Sequence, residues 1–358
     1  MYISEKSLSD LYLDNTDKGD NDWLKIIAKQ SKIQLFNTQD EINDILTTPE
    51  SLIREFMMSC GKSSEYLCSS EITIDSIKED YSAVLDSPSG AFLLDVDKET
   101  ADSIQKKYGV LCQSTSDLSY CALTSDGGHY VLSFKEKESW ERLTENIKSL
   151  PSNFLIINDK YLFSKDDKNN PDRRIGIDNV KSILDNLLPI SLDADYHIAI
   201  ITELKEKRDK MPFDDVANEL DVVKRSLNRN YRIFITLIGV YENSLERKDI
   251  THDRNIVSNY FVGMATKGLA AINTYYATSQ EDQRVSFEPL FCWGLNGNSD
   301  APVKEHERLI KNYRSLVEDE NNIKNLRIAC SVNTNAAINN INHRALISST
   351  QKSCTIKL

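Results

Sequence analysis

No stretch of the chain approaches the roughly 20 consecutive apolar residues that a membrane-spanning helix needs. Glycine and proline are scarce, at 12 and 8 in 358 residues, which excludes collagen-like and Pro-rich fibrous material. The seven cysteines, Cys60, Cys68, Cys112, Cys121, Cys292, Cys330 and Cys354, are odd in number and never form C-x-x-C. Their spacings match no zinc knuckle, and reduced thiols fit the chain better than a disulfide framework. G-x-G-x-x-G, G-x-x-x-x-G-K-[ST], G-x-S-x-G and H-E-x-x-H are all absent, so no common cofactor, P-loop, hydrolase or zinc-protease signature is present. The opening residues, MYISEKSLSDLYL, have neither a basic n-region nor an apolar h-region. The expectation is a soluble, cytoplasmic protein with no membrane partner.

Positive charge is also in short supply. Lys and Arg number 43 against 55 Asp and Glu, a formal net charge of -12. A protein this acidic is repelled by a phosphate backbone, which excludes bulk non-specific nucleic-acid binding and leaves only a focused basic site. Residues 1–50 hold ten acids and five bases, the pattern of a solvated face. The 40% of hydrophobic residues are enough to build a core, and the length suggests two domains.

The pattern along the chain is α/β. Trp23–Ser31 has helical periodicity, and residues 39–59 read as two helices broken at Thr48–Pro49, with Thr48 as N-cap of the second. Ala91–Val96 is a short apolar strand, residues 98–108 a helix capped by Gly109, and Val110–Gln113 a second strand. Together they make a small βαβ unit in a partly parallel sheet. Residues 122–134 alternate around Asp126-Gly127-Gly128, which reads as a hairpin. The segment before Pro151 reads as an amphipathic helix with Trp140, Leu143, Ile147 and Leu150 on one face. Beyond it come strands at 153–157, 197–202, 231–240, 255–262 and 285–291, with helices at 176–188, 213–227 and 302–318. This order predicts a smaller α/β domain over 1–150, a mixed-sheet α/β domain over 151–345, and a polar tail over 346–358.

One motif stands out. Residues 249–263 read D-I-T-H-D-R-N-I-V-S-N-Y-F-V-G, placing His252, Asp253 and Arg254 just before a strand. Such a trio also suits a turn in which Asp253 bonds nearby amides and Arg254 meets a carboxylate. Read as chemistry, it is H-x-R followed by Asn259. Arg254 can hold a phosphate as a bidentate fork, and His252 is a candidate nucleophile. Asn259 carries no charge and cannot act as a carboxylate. Lys224, Arg225, Arg229 and Arg232 lie within nine residues and form an anion site if they face the same side as Arg254. The same stretch also suits a helix surface paired with acids such as Asp221. Tyr231, Tyr241 and Tyr260 are candidates for base stacking, though core positions suit them equally. Lys267-Gly268 would let backbone amides approach an anion. His343-Arg344 is a further anion contact to weigh, and His197 opens a buried strand as a structural histidine.

The segment from His252 to Tyr260 resembles the H-D-R segment of the phospholipase D-like C-terminal domain of MIT-domain proteins and of related bacterial proteins, some in phage-defence settings. The resemblance implies a phospholipase D-like fold over roughly 150–345. It also implies lost hydrolase chemistry and binding of anionic partners. The Arg and Asn substitutions in the motif agree with that loss.

The leading expectation is therefore a non-catalytic module that binds nucleic acid or another phosphate-bearing ligand, in a bacterial defence or mobile-element system. Arg254 would be its anchor, with His252 and the Lys224–Arg232 stretch assisting. Two other readings stay open. One is a nuclease or phosphodiesterase that uses His252 in a homodimeric site, because this chemistry needs two histidines and a single copy of the motif is present. The other is a scaffold for protein partners. No cofactor is expected except in one case. Asp95 and Asp97, at the end of a predicted parallel strand with Asp86 and Glu99 nearby, suit Mg²⁺ in a PIN-like nuclease.

Overall fold

A computed structural model describes residues 1–18, 22–30, 32–118, 128–132, 139–163, 175–204, 211–241, 254–266, 268–269, 283–290, 301–330 and 343–346. The chain divides into two compact units. One is Met1–Ser125 with Leu290–Lys304, and the other is Asp126–Pro289 with Glu305–Leu358.

The first unit is built on five short parallel strands: β1 (Tyr2–Ile3), β2 (Ile33–Leu35), β3 (Leu67–Ser69), β4 (Phe92–Leu94) and β5 (Cys112–Ser114). Their order is β3-β2-β1-β4-β5, so the winding reverses between β1 and β4. Between them run α1 (Glu5–Lys18), α2 (Asp22–Gln30), α3 (Gln39–Thr47), α4 (Leu52–Ser59), α5 (Ile74–Glu79) and α6 (Lys98–Tyr108). Phe92-Leu93-Leu94 is wholly buried, as a strand covered on both faces requires. The Tyr2 ring stacks on Phe92 at 4.4 Å over Ile77, Val84 and Ile104. Gly109 ends α6 at φ 63°, a left-handed conformation that glycine adopts without steric cost. The expected βαβ unit is thus β4-α6-β5.

Thr48 plays a different part from the one expected. It closes α3, its hydroxyl donating to the Asp44 carbonyl at 2.8 Å, and Ser51 caps α4 by accepting from the Arg54 N–H. The residue before a proline is disfavoured in helix, so Thr48 terminates a helix and does not start one.

The second unit is a mixed eight-stranded sheet in the order β13-β9-β8-β7-β10-β11-β12-β6. Its strands are β6 (Gly128–Leu132), β7 (Phe154–Asn158), β8 (Tyr196–Leu204), β9 (Ile233–Tyr241), β10 (Asn255–Ser258), β11 (Phe261–Ala265), β12 (Gln283–Pro289) and β13 (Leu326–Cys330). Its helices are α7 (Trp140–Leu143), α8 (Ile175–Leu187), α9 (Phe213–Ser226), α10 (Ala301–Glu318, of which the part from Glu305 on belongs to this unit) and α11 (Glu320–Ile323). β7, β8 and β9 are parallel and linked through α8 and α9; all other pairings are antiparallel. The apolar stripe Val180, Ile183, Leu184, Leu187 of α8 is buried, as is Leu309, Tyr313, Val317 of α10.

Expectations change here in several places. The unit boundary falls at 125/126, not 150/151, because β6 pairs with β12 and the Trp140 indole donates to Asn179 at 3.0 Å. Within the expected hairpin at 122–134, Gly128–Leu132 forms β6, and residues 119–127 and 133–134 lie outside the described residues. The predicted helix before Pro151 is only the four residues of α7 followed by turns, though Trp140, Leu143, Ile147 and Leu150 are all buried. There the Thr144 hydroxyl bonds back to the Trp140 carbonyl at 2.7 Å and competes with the helix ladder. The predicted strand 255–262 is the hairpin β10–β11, turning at Asn259-Tyr260. Of the predicted tail, Leu346 is fully buried and belongs to the fold, while 347–358 lie outside the described residues.

Candidate functional site

In a parallel α/β sheet, ligands are met outside the carboxyl ends of the strands. In the second unit that edge is formed by Asn158 of β7, Glu203 and Leu204 of β8, and Tyr241 of β9. Arg254 joins it because β10 runs back along β7 with Asn255 opposite Asn158. Polar side chains crowd there. Asp159 is completely buried; its Oδ1 accepts the Tyr161 N–H at 2.8 Å and its Oδ2 accepts the Leu269 N–H. Lys160 pairs with Glu203 at 2.9 Å, with side chains only 11% and 3% exposed.

The Arg254 guanidinium lies 5.7 Å from the centre of the Tyr161 ring. Its Nη1 donates to the Thr266 carbonyl at 2.8 Å. Its Nε is enclosed and has no hydrogen-bond partner, and no carboxylate pairs with Arg254 among the described residues. Thr266 also ties in β12: its Oγ1 accepts the Arg284 N–H at 3.0 Å. The Arg284 side chain is exposed and holds no ion pair among the described residues.

The basic stretch lies at the opposite edge. Lys224 and Arg225 end α9 and both pair with Asp221, at 3.3 and 2.8 Å. Arg229 donates to the carbonyls of Asp185 and Leu188 at the end of α8, although its Nε is unpaired. Arg232 grips Asp195 with two bonds of 2.9 and 2.8 Å. Arg232 precedes β9 where β9 starts, whereas Arg254 is level with its far end, roughly 20 Å away at about 3.3 Å per residue. The condition for a shared anion site is not met, and the helix-surface reading of these four residues accounts for them.

His252 and Asp253 lie outside the described residues. Asn259 is fully buried: its Oδ1 accepts the N–H groups of Asn153 and Phe154 at 3.0 and 3.2 Å, and its amide donates to Asn153 at 3.0 Å. It locks the hairpin turn to the start of β7, far from Arg254 along β10. The amide after Gly268 does approach an anion, and that anion is the protein's own Asp159. Tyr260 is buried; Tyr231 is half-buried and donates to the Pro189 carbonyl at 2.6 Å; Tyr241 is 45% exposed on the Arg254 edge.

His343 is buried against His197 and Phe154, and the Arg344 Nη2 donates to the Asp195 carbonyl at 3.3 Å. Burial, aided by His197, pushes the His343 pKa down to about 3. Burial likewise lowers that of His306, which bonds the Ser258 carbonyl at 2.8 Å, to about 4. These are structural histidines.

In the first unit Asp95 does sit exposed at the carboxyl end of a central parallel strand. Asp97 is committed elsewhere: it caps α6, accepting the Thr100 N–H and hydroxyl, both at 2.8 Å, and these bonds, backbone first, hold its carboxyl below the usual range. Among the described residues no three His, Cys, Asp or Glu side chains are grouped to hold a metal.

No protein-family model matches the chain, and no curated protein shows significant similarity to it. The likeness of residues 252–260 to phospholipase D-like domains stands on those residues alone. Asp159, Lys160, Tyr161, Glu203 and Arg284 were missed from sequence. The signal for the first three was present, since they follow the apolar strand NFLII after the single residue Asn158. The rule that singled out Asp95 after AFLL applies to them equally. Arg284 had no local signal; only the register of β11 on β12 brings it beside Thr266.

Proposed function

We propose that the second unit is a non-catalytic module that holds a phosphate-bearing anion on Arg254. The observation that carries this reading is the electrostatic state of Arg254. It is a partly buried cation with an enclosed, unpaired Nε and no carboxylate partner among the described residues, at the carboxyl edge of the parallel strands. A partly exposed guanidinium with no carboxylate partner among the described residues is a ready counter-charge for a phosphate, which it can meet with charge-assisted hydrogen bonds. The non-catalytic part rests on Asn259. The residue in the carboxylate's place is neutral and is bonded to the backbone and side chain at the start of β7.

The test is binding of inorganic polyphosphate by calorimetry at several salt concentrations, with labelled oligonucleotides assayed for cleavage in Mg²⁺ and in EDTA. Arg254→Ala should abolish or sharply weaken binding and flatten its salt dependence, while Arg232→Ala at the opposite edge should not. Polyphosphate binding that ignores Arg254→Ala sinks the reading. Cleavage that survives EDTA and is lost in His252→Ala replaces it with the phosphodiesterase. Absence of any binding puts the protein scaffold in front.

A further inference from the structure

Exposed aromatic rings gather on the same edge of the second unit's sheet as Arg254 and Arg284, two cations with no ion pair among the described residues, and Lys160, which is paired with Glu203. The large hydrophobic side chains that this unit exposes, among the described residues, are Tyr161 (38%), Ile190, Val222, Tyr241 (45%) and Met264 (44%). Tyr161, Tyr241 and Met264 all lie at the carboxyl edge of β7 and β9 or beside the start of β10. Arg254 and Arg284 flank Thr266 on that edge, and the Lys160 Nζ stands 5.6 Å from the centre of the Tyr161 ring. The opposite edge has as many bases, yet Lys224, Arg225 and Arg232 are neutralised by Asp221 and Asp195, and Arg229 is spent on helix-end carbonyls.

From this we infer that the ligand is a single-stranded nucleic acid, lying across the carboxyl edge from β9 to β12, its phosphates on Arg254 and Arg284 and its bases against Tyr161 and Tyr241. The inference rests on the phosphate reading of Arg254 and adds the class of ligand. Three considerations favour it. Exposed rings interleaved with cations match the way bases stack while the backbone is held electrostatically. A stacked base is available only from an unpaired strand, because a duplex hides its base faces. The five inter-strand steps from β9 to β12 span about 24 Å, room for roughly four to seven nucleotides. The net charge of -12 argues in the same direction, since broad electrostatic attraction to duplex is weak here and affinity must come from a focused site.

The experiment is fluorescence anisotropy of the full chain with short labelled oligo(dT), oligo(U) and a hairpin duplex. Polyphosphate serves as competitor, and phosphatidylserine vesicles run in parallel by co-sedimentation. Each variant's fold is checked by thermal unfolding. Tyr161→Ala and Tyr241→Ala should each weaken single-strand binding about tenfold. Tyr161→Phe keeps the ring and should bind as the parent does, which separates stacking from damage to the fold. Arg284→Ala should reduce affinity and the salt slope by about one phosphate contact. Polyphosphate affinity should ignore the tyrosine changes.

If Arg254→Ala loses polyphosphate but both tyrosine variants bind oligonucleotide as the parent does, this inference is overturned and the phosphate reading stands. Duplex bound as tightly as single strand, or vesicles captured while oligonucleotides are not, overturns it too. If neither polyphosphate nor oligonucleotide binds, both readings fall together.

Discussion

Asn259 and Asn153 are joined amide to amide at 3.0 Å, 106 positions apart in sequence, while the Asn259 carbonyl also receives the Asn153 and Phe154 N–H groups. The turn of the β10–β11 hairpin is thereby pinned to the first residues of the central strand β7. Asn259→Ala leaves two buried backbone donors with nothing to meet and should cost about 2–4 kcal/mol. Asn259→Asp keeps the acceptor and buries a charge. Its deficit against the parent should therefore shrink as pH falls towards 4 and the carboxyl protonates. Urea unfolding at both pH values measures this. An Asn259→Asp variant as stable as the parent at pH 7 would show that the pocket accepts a carboxylate, and the catalytic reading would regain ground.

Lys160 and Glu203 make the next case. The pair joins the end of β8 to the residue after Asp159, and neither side chain is more than 11% exposed. Removing Lys160 alone, as Lys160→Met, strands a buried carboxylate and should cost about 3–5 kcal/mol. Replacing both, as Lys160→Met with Glu203→Leu, should recover most of that loss. A double-mutant cycle in urea gives the coupling directly. A coupling near zero would mean that solvent reaches both groups and screens them.

Much of this architecture was legible in the sequence, for reasons particular residues make clear. The all-apolar stretches FLL, FLII and IAII are strands because only sheet interiors bury both faces of so short a run. The stripe of α8 has helical period and no rival signal. What was missed turns on partners distant in sequence. β6 belongs to the second sheet only through β12, some 150 positions on. The break between β10 and β11 depends on Asn259 reaching Asn153. The site suffered most. Lys224, Arg225, Arg229 and Arg232 are conspicuous in sequence because they cluster, yet Asp221, Asp195 and the end of α8 absorb them. Arg254 is less conspicuous and meets no carboxylate among the described residues.

Asp97 separates a helix cap from a metal ligand in the first unit. Both of its oxygens are occupied by Thr100, so Asp97→Ala should lower the unfolding temperature slightly and Asp97→Ser, which can still cap, should restore it. A ligand that binds only the folded chain raises its stability in proportion to saturation. Mg²⁺ should therefore leave the unfolding temperature of the parent and of Asp97→Ala unchanged. A Mg²⁺-dependent rise that disappears in Asp95→Asn would place a cation at the end of β4 and revive the metal-dependent nuclease.

His306 and His343 set the acid limit of the second unit. Both are fully buried and neutral in the fold, with pKa values pushed by burial from 6.5 to about 4 and about 3. The groups facing them are few. Arg314 disfavours a proton on His306, and the charges of His197 and Arg344 disfavour one on His343; backbone hydrogen bonding favours one, from Ser258 on His306 and from Leu155 and His197 on His343. Because the folded pKa lies below the unfolded one, the unfolded chain binds the extra protons. Their contribution to stability is complete above pH 6.5 and is lost as pH falls from 6.5 to about 4 for His306 and to about 3 for His343. Within that window each histidine should add a slope of up to about 1.4 kcal/mol per pH unit. Urea unfolding at pH 7, 6, 5 and 4 should show stability falling steadily. In His306→Gln and His343→Gln the slope should flatten by about one proton each, whatever the substitution does to stability at pH 7. Equal slopes in the parent and both variants would mean that carboxylates alone carry the acid transition and that these histidines titrate as readily in the fold as out of it.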